Sequence, residues 1–168
     1  MSRFHNPEFT QMELYVAYKD YNWMMNLVEE MVEKVALDIY GKTEVQVGEH
    51  IINFKKPWQR YSMYEVIEHF TGVDISMMDE EELKDTAIKM GVTIDKSMAR
   101  GKLIDEVFGQ KCEGKLIQPT FITDYPIEMS PLTKKHRSKD GLTERFELFI
   151  NGKEIANAYS CLLYTSPS

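Results

Sequence analysis

The chain has 168 residues, 43% of them hydrophobic and 28% charged, the balance of a globular domain long enough to bury a sizeable core. Its net charge of -7 and pI of about 5.2 argue against a general nucleic-acid-binding surface. No run of eighteen apolar residues and no basic-then-apolar leader occurs, so no membrane partner is expected and a cytoplasmic location follows by default. Cys112 and Cys161 are the two cysteines; with no paired spacing they support neither a disulfide framework nor a zinc site.

The opening stretch runs His5-Asn6-Pro7-Glu8-Phe9-Thr10-Gln11-Met12-Glu13-Leu14-Tyr15-Val16. Read with a period of two, Thr10, Met12, Leu14 and Val16 form one mostly apolar face, and Phe9, Gln11, Glu13 and Tyr15 form the other. A ring, an amide, a carboxylate and a phenol in a row suggest the floor of a site. A helix capped by Asn6 with Pro7 in its first turn is the competing reading; the β-branched and aromatic content favours the strand.

From Asn22 to Tyr40, Trp23, Leu27, Val28, Met31, Val32, Val35, Ala36 and Ile39 recur at helical spacing, with Glu29, Glu30, Glu33 and Lys34 opposite, and Gly41 stops the helix. Residues 44–47 and 50–54, joined around Gly48-Glu49, read as a hairpin with His50 on the surface. Lys56-Pro57-Trp58-Gln59-Arg60 then leads into a helix over about 63–70, ended by Thr71-Gly72.

Residues 74–116 are acidic and lack aromatics until Phe108; Asp79, with Glu82 three residues on, caps a helix to about Met90, and 97–108 forms a second. Their acidic face reads as solvated surface, and Cys112 as an ordinary thiol. Pro119-Thr120-Phe121-Ile122-Thr123-Asp124-Tyr125-Pro126 is a strand entering a proline-fixed turn that continues through Glu128, Ser130, Pro131 and Leu132. Residues 134–142 read as a polar loop, its Lys134-Lys135-His136-Arg137 run solvated.

Arg145–Ile150 and Lys153–Ser160 flank Asn151-Gly152, the strongest short hairpin signal a sequence carries. A two-residue turn sets Phe149 opposite Glu154 and Glu147 opposite Ala156, so Glu147 and Glu154 share a face as diagonal neighbours about 7–8 Å apart at the backbone. Two acids so placed repel unless a divalent cation is held between them. Two exposed acids on a solvated hairpin are the plainer alternative. The tail Cys161-Leu162-Leu163-Tyr164-Thr165-Ser166-Pro167-Ser168 resembles a translated library adapter, so 161–168 is set apart and 1–160 is read as a partial domain, cut at both ends.

His-Asn-Pro-Glu-Phe-Thr followed by Glu-Leu-Tyr resembles the second half of motif 2 of class II lysyl-tRNA synthetases. The segment Pro119-Thr120-Phe121 with Tyr125-Pro126-x-Glu128-x-Ser130-Pro131-Leu132 is similar to a further stretch of that family, as are Pro57-Trp58-x-Arg60 and the later Thr71-Gly72. The resemblance covers residues 1–160. It implies an α+β class II aminoacyl-tRNA synthetase catalytic domain, incomplete here: an antiparallel sheet flanked by helices, with a helical insertion at about 74–116.

The implied activity is that of a lysine–tRNA ligase. Lysine is activated with ATP to lysyl-adenylate and passed to tRNA(Lys); Mg2+ is the implied cofactor, and the complete protein would be a homodimer. Such chemistry needs alignment of two anions and neutralisation of the charge between them more than proton transfer, so no catalytic side chain is assigned.

For ATP the resemblance implies His5 at the phosphates, Phe9 stacked on adenine, and Glu154. For lysine it implies Glu13 at the α-amino group, Tyr15 at the ε-ammonium and Asn157 at the carboxylate. Glu147 and Glu154 would hold the metal. Strict alternation sets Asn157 on the opposite face from Glu154, so its role requires a bulge near Ala156.

The family's acid after Ser160 is Cys161 here, and motifs 1 and 3 and the anticodon-binding barrel are not found in the sequence; this polypeptide alone is therefore expected not to charge tRNA. Any tRNA-facing charge would be local, as at residues 134–137. Two rivals stand beside this reading: the paralogue that lysylates a translation elongation factor, which carries Trp where this chain has Leu14, and a non-catalytic nucleotide- or partner-binding module.

Overall fold

The structure is a computed structural model and describes residues 8–95 and 97–160. Helix α1, Tyr21–Tyr40, begins where Asp20 accepts a hydrogen bond from the Trp23 amide (3.0 Å) and ends at Gly41, whose φ of 68° is the left-handed conformation that glycine takes without a Cβ penalty. A two-stranded antiparallel hairpin follows, β1 (Glu44–Val47) and β2 (His50–Asn53), in the expected place.

Strand β3, Gln59–Ser62, leads directly into α2, Met63–Thr71. Helices α3 (Glu80–Lys89) and α4 (Arg100–Lys111) precede β4, Thr120–Thr123, and the chain finishes with β5 (Arg145–Ile150) and β6 (Lys153–Tyr159). The main sheet has the order β3-β4-β5-β6. It is antiparallel from β4 to β6, but β3 and β4 run parallel, because α2, α3 and α4 make the long crossover that a parallel pair needs.

Two cores form, one on each face of this sheet. Phe121, Phe146, Leu148 and Ile150 face α1, meeting Tyr21, Met25, Val28 and Trp58. Ile122 and Phe149 face the helical crossover, meeting Met63 and Ile67 of α2, Leu83 of α3, and Leu103, Ile104 and Val107 of α4. The crossover is thus part of the main core, since burying each such side chain contributes about 1.5–3 kcal/mol.

Several expectations are corrected by the fold. Residues 9–16 form no strand and lie exposed apart from half-buried Val16. A strand exists through ladder hydrogen bonds to a neighbour, and among the described residues no strand pairs with this stretch, so its alternation has nothing to enforce it. The second crossover helix starts at Arg100, not 97, because Ser97 is occupied in a turn with Asp95 (backbone N to Oδ1 2.8 Å; Oγ to Oδ1 2.7 Å).

Glu29 is buried rather than solvated, accepting from the Trp58 amide and from Arg60, both at 3.2 Å, while Val35 and Ile39 of the expected apolar stripe are exposed. The 134–137 run is not a free loop either. Tyr21 donates its hydroxyl proton to Asp124 (3.2 Å) and lies 3.2 Å from His136 Nε2; Arg137 pairs with both Glu144 and Asp20. The His136 ring is turned inward and Arg137 reaches across from the surface because the buried acids Asp124 and Glu144 need partners, while Lys135 stays exposed. Among the described residues no helix is long and apolar enough to cross a membrane.

Candidate functional site

The site is built on the β5–β6 ribbon. Asn151 (φ 55°) and Gly152 (φ 67°) turn the chain with both residues left-handed, as a tight hairpin requires, and their amides donate to Ile117 and Leu116 carbonyls at 2.9 Å, docking the turn. From there Ile150 pairs with Lys153 and Phe149 with Glu154, as expected. Beyond that the register slips: Leu148 pairs with Ala156 and Glu147 with Asn157, leaving Ile155 as a bulge. The expected pairing of Glu147 with Ala156 is therefore corrected by one residue.

This bulge has a chemical consequence. Paired residues point to the same side of a sheet and every second residue shares a face, so Arg145, Glu147 and Phe149 of β5 share one face with Glu154 and Asn157 of β6. Were Ile155 paired in a regular ladder instead of bulged out of it, Glu154 and Asn157 would lie on opposite faces. The other face, with Phe146, Leu148 and Ile150, belongs to the α1 core.

Above the ribbon is a cleft of about 490 Å³ whose lining includes Arg145, Glu147 and Glu154, with Tyr125 from the turn after β4, Glu113, and Asp105 of α4. Gly101 lets α4 approach the 127–129 turn closely: a Cβ there would meet the Glu128 Cβ at 3.0 Å and its backbone carbon at 3.2 Å. The acidic crossover thus supplies a wall of the cleft and is not merely solvated.

Arg145 is the cation among these acids. Its guanidinium donates to Glu147, to Asn157 Oδ1 (3.2 Å) and to Ser130 Oγ (2.5 Å), and stands 4.6 Å from the centre of the Tyr125 ring. Burial pushes the Glu147 carboxyl above the ordinary carboxylate range, with Arg145 opposing it; burial raises Glu154 in the same way. Glu113 is raised by burial and by the charge of Glu147. Tyr125 is buried, its phenol pushed up by desolvation and by the neighbouring Glu147 carboxylate that its hydroxyl faces.

Such a face suits a polyanionic ligand only if a metal cation accompanies it. It suits an ammonium group directly.

Residues 1–163 match the family model described as tRNA synthetases class II (D, K and N). The chain belongs to this family. Curated relatives include proteins named lysine–tRNA ligase from Porphyromonas gingivalis (62% identical), Christiangramia forsetii (60%) and Azobacteroides pseudotrichonymphae (57%), each over 160 residues and 95% of this chain. The chain spans 28%, 28% and 32% of those relatives' lengths.

Within this class II synthetase domain, the residues named from the sequence divide into three groups. Glu147, Glu154 and Asn157 come together on the ribbon face, the first two lining the cleft. Phe9, Glu13 and Tyr15 do not line it: Phe9 and Tyr15 are 77% and 85% exposed, and the Tyr15 hydroxyl donates to Glu13 at 3.4 Å. His5 lies outside the described residues.

Arg145, Tyr125, Glu113 and Asp105 were not singled out by sequence reasoning. Arg145 had a signal, two residues before Glu147 on the same strand face. Tyr125 opened the Tyr-Pro-x-Glu-x-Ser-Pro-Leu stretch that carried part of the resemblance, whereas Glu113 and Asp105 had no signal, because their approach to the ribbon is decided by the crossover. Among the described residues, no group of three or more His, Cys, Asp or Glu side chains is gathered as a metal site.

Proposed function

We propose that this chain is part of the catalytic domain of a lysine–tRNA ligase, a cytoplasmic enzyme that activates lysine with ATP and transfers it to tRNA(Lys). The observation that carries this reading is the bulge at Ile155, which gives Glu147, Glu154 and Asn157 a common face beside Arg145. Relatives of that name at 57–62% identity support it. The activity is assigned to the longer protein, working as a homodimer, and not to this polypeptide alone.

The reaction forms a bond between a lysine carboxylate oxygen and the α-phosphorus of ATP and breaks the bond to the departing pyrophosphate. Its demands are alignment and charge neutralisation. Asn157 would hold the lysine carboxylate, Glu13 the α-amino group and Tyr15 the ε-ammonium. Phe9 would stack on adenine and His5 would reach the phosphates. For these N-terminal residues to act here, the 9–16 stretch must lie along the open outer edge of β6, the last strand of the sheet.

Glu147 and Glu154 fit a magnesium ion as two of its ligands. Both are hard oxygen donors that burial raises, they line one cleft from one sheet face, and Arg145 is the cation of that face, which leaves acidic charge on it for a divalent ion to offset. When bound, the ion would neutralise phosphate charge. The protein's own part is to hold the two carboxylates on one face and exclude water with α4.

A chimera tests the proposal. Residues 1–160 replace the corresponding segment of the Porphyromonas gingivalis lysine–tRNA ligase. Lysine-dependent ATP–pyrophosphate exchange is expected, with a loss of roughly a hundredfold or more in Glu147→Ala or Glu154→Ala. A folded chimera that exchanges with another amino acid, or with none, overturns it.

A further inference from the structure

The β5–β6 face carries a residue that the proposed chemistry has not yet used. Arg145 does not project into solvent as a lone charge. Ser130 Oγ holds one end of its guanidinium at 2.5 Å, the Tyr125 ring lies beneath it at 4.6 Å, and its remaining N–H groups go to Glu147 on its own strand and to Asn157 Oδ1 on β6 at 3.2 Å. Both anchors come from the 119–132 segment, and both targets lie on the ribbon.

We propose that Arg145 is a positioning residue: its planar fork, clamped by Ser130 and Tyr125, sets the rotamers of Glu147 and Asn157 so that a carboxylate and a carboxamide from two strands face the same ligand. The ligand part of this inference rests on the function proposed above; the side-chain ordering does not. The geometry needs an arginine. A guanidinium offers five donors in a rigid plane and can bridge two acceptors while stacking on a ring, whereas an ammonium is a point charge on a flexible stem.

The need for such a clamp follows from the bulge. At Ile155 the ladder is locally interrupted, so Asn157 is presented from a stretch of β6 whose backbone is less constrained than a regular strand. Left alone, its carboxamide would sample several rotamers, and ordering it on ligand arrival would weaken binding. Arg145 orders it beforehand. It pairs with Glu147 in the same way, fixing that carboxylate from its own strand.

The test uses the full 168-residue chain, isotope-labelled, with Arg145→Met, Arg145→Lys and Ser130→Ala, each checked for fold by circular dichroism. In Arg145→Met, the Asn157 side-chain amide resonances are expected to move to free-carboxamide positions. Affinity for Mn2+ with ATP, read by electron paramagnetic resonance, should fall roughly tenfold or more. Arg145→Lys should recover that affinity to within about threefold but leave the Asn157 resonances free, separating charge from orientation.

Unmoved Asn157 resonances in a folded Arg145→Met chain overturn the proposal. Should that variant not fold, Ser130→Ala, which removes one anchor and no charge, decides in its place: Asn157 resonances identical to the parent chain overturn it. If the parent chain takes up no Mn2+ with ATP while the Asn157 resonances still follow Arg145, the nucleotide reading of the cleft falls and the positioning role stands.

Discussion

Glu147 lies directly across the ribbon from Asn157, and it does so only because Ile155 is extruded from the ladder between them. Asn157 lies three positions after Glu154, an odd offset that regular pleating would send to the opposite face. One bulge converts that odd spacing into a shared face.

Deleting Ile155 should therefore leave the face intact. The pairs Phe149–Glu154, Leu148–Ala156 and Glu147–Asn157 close into a regular ladder without it, and the lost side chain is half exposed. A stability change of no more than about 1 kcal/mol in urea unfolding is expected, with the Asn157 to Arg145 hydrogen bond retained. Inserting a residue after Ile155 should instead remove that bond, visible in the same side-chain amide resonances.

Gly101→Ala should push α4 off the 127–129 turn. The new methyl would meet the Glu128 backbone at 3.2 Å, where a flexible side chain cannot simply move aside. Overpacking of this kind costs about 1–3 kcal/mol, measurable as a lowered unfolding midpoint. The larger Gly101→Leu should open the cleft and raise hydrogen exchange along α4.

Acid should unlock the 134–144 region. The Arg137 hydrogen bond holds the buried Glu144 carboxyl at about 2, against 4.5 for an unperturbed glutamate. A lowered folded-state value means that the stabilisation is full above about pH 4.5 and disappears as the pH falls toward 2. The full shift would be about 3 kcal/mol, reduced to about 1–2 kcal/mol because Arg137 is half exposed. Unfolding free energies of the parent chain and Arg137→Met should differ most above pH 5 and converge near pH 2.

Glu29→Ala should destabilise more than an ordinary helix-surface change. It strips the acceptor from the buried Trp58 amide and from Arg60 together. Leaving a buried donor unpaired costs about 1–3 kcal/mol. Glu29→Gln, which keeps an oxygen, should recover much of the loss in thermal unfolding.

The elements legible from sequence are those written in local chemistry. Asn151-Gly152 announces its turn, Gly41 its helix end, and Asp79 with Glu82 a capping box whose reciprocal hydrogen bonds, at 2.9 and 3.1 Å, are formed. Glu147 and Glu154 shared a face in the sequence reading and do so in the fold. The illegible features involve residues far apart in the chain. Alternation at 9–16 resembles a strand but cannot supply the neighbour that would make it one. A run of four polar residues at 134–137 looks solvated unless Glu144 and Asp124 are known to need partners.

By itself the amino-acid order determined which segments are helices and hairpins and which family the chain resembles, because propensity, capping and turn geometry act over a few residues. Only the tertiary structure decided that Ile155 bulges, that Arg145 bridges Glu147 and Asn157, and that α4 walls the cleft. Those depend on backbone register and helix approach, set by two cores packing on opposite faces of one sheet.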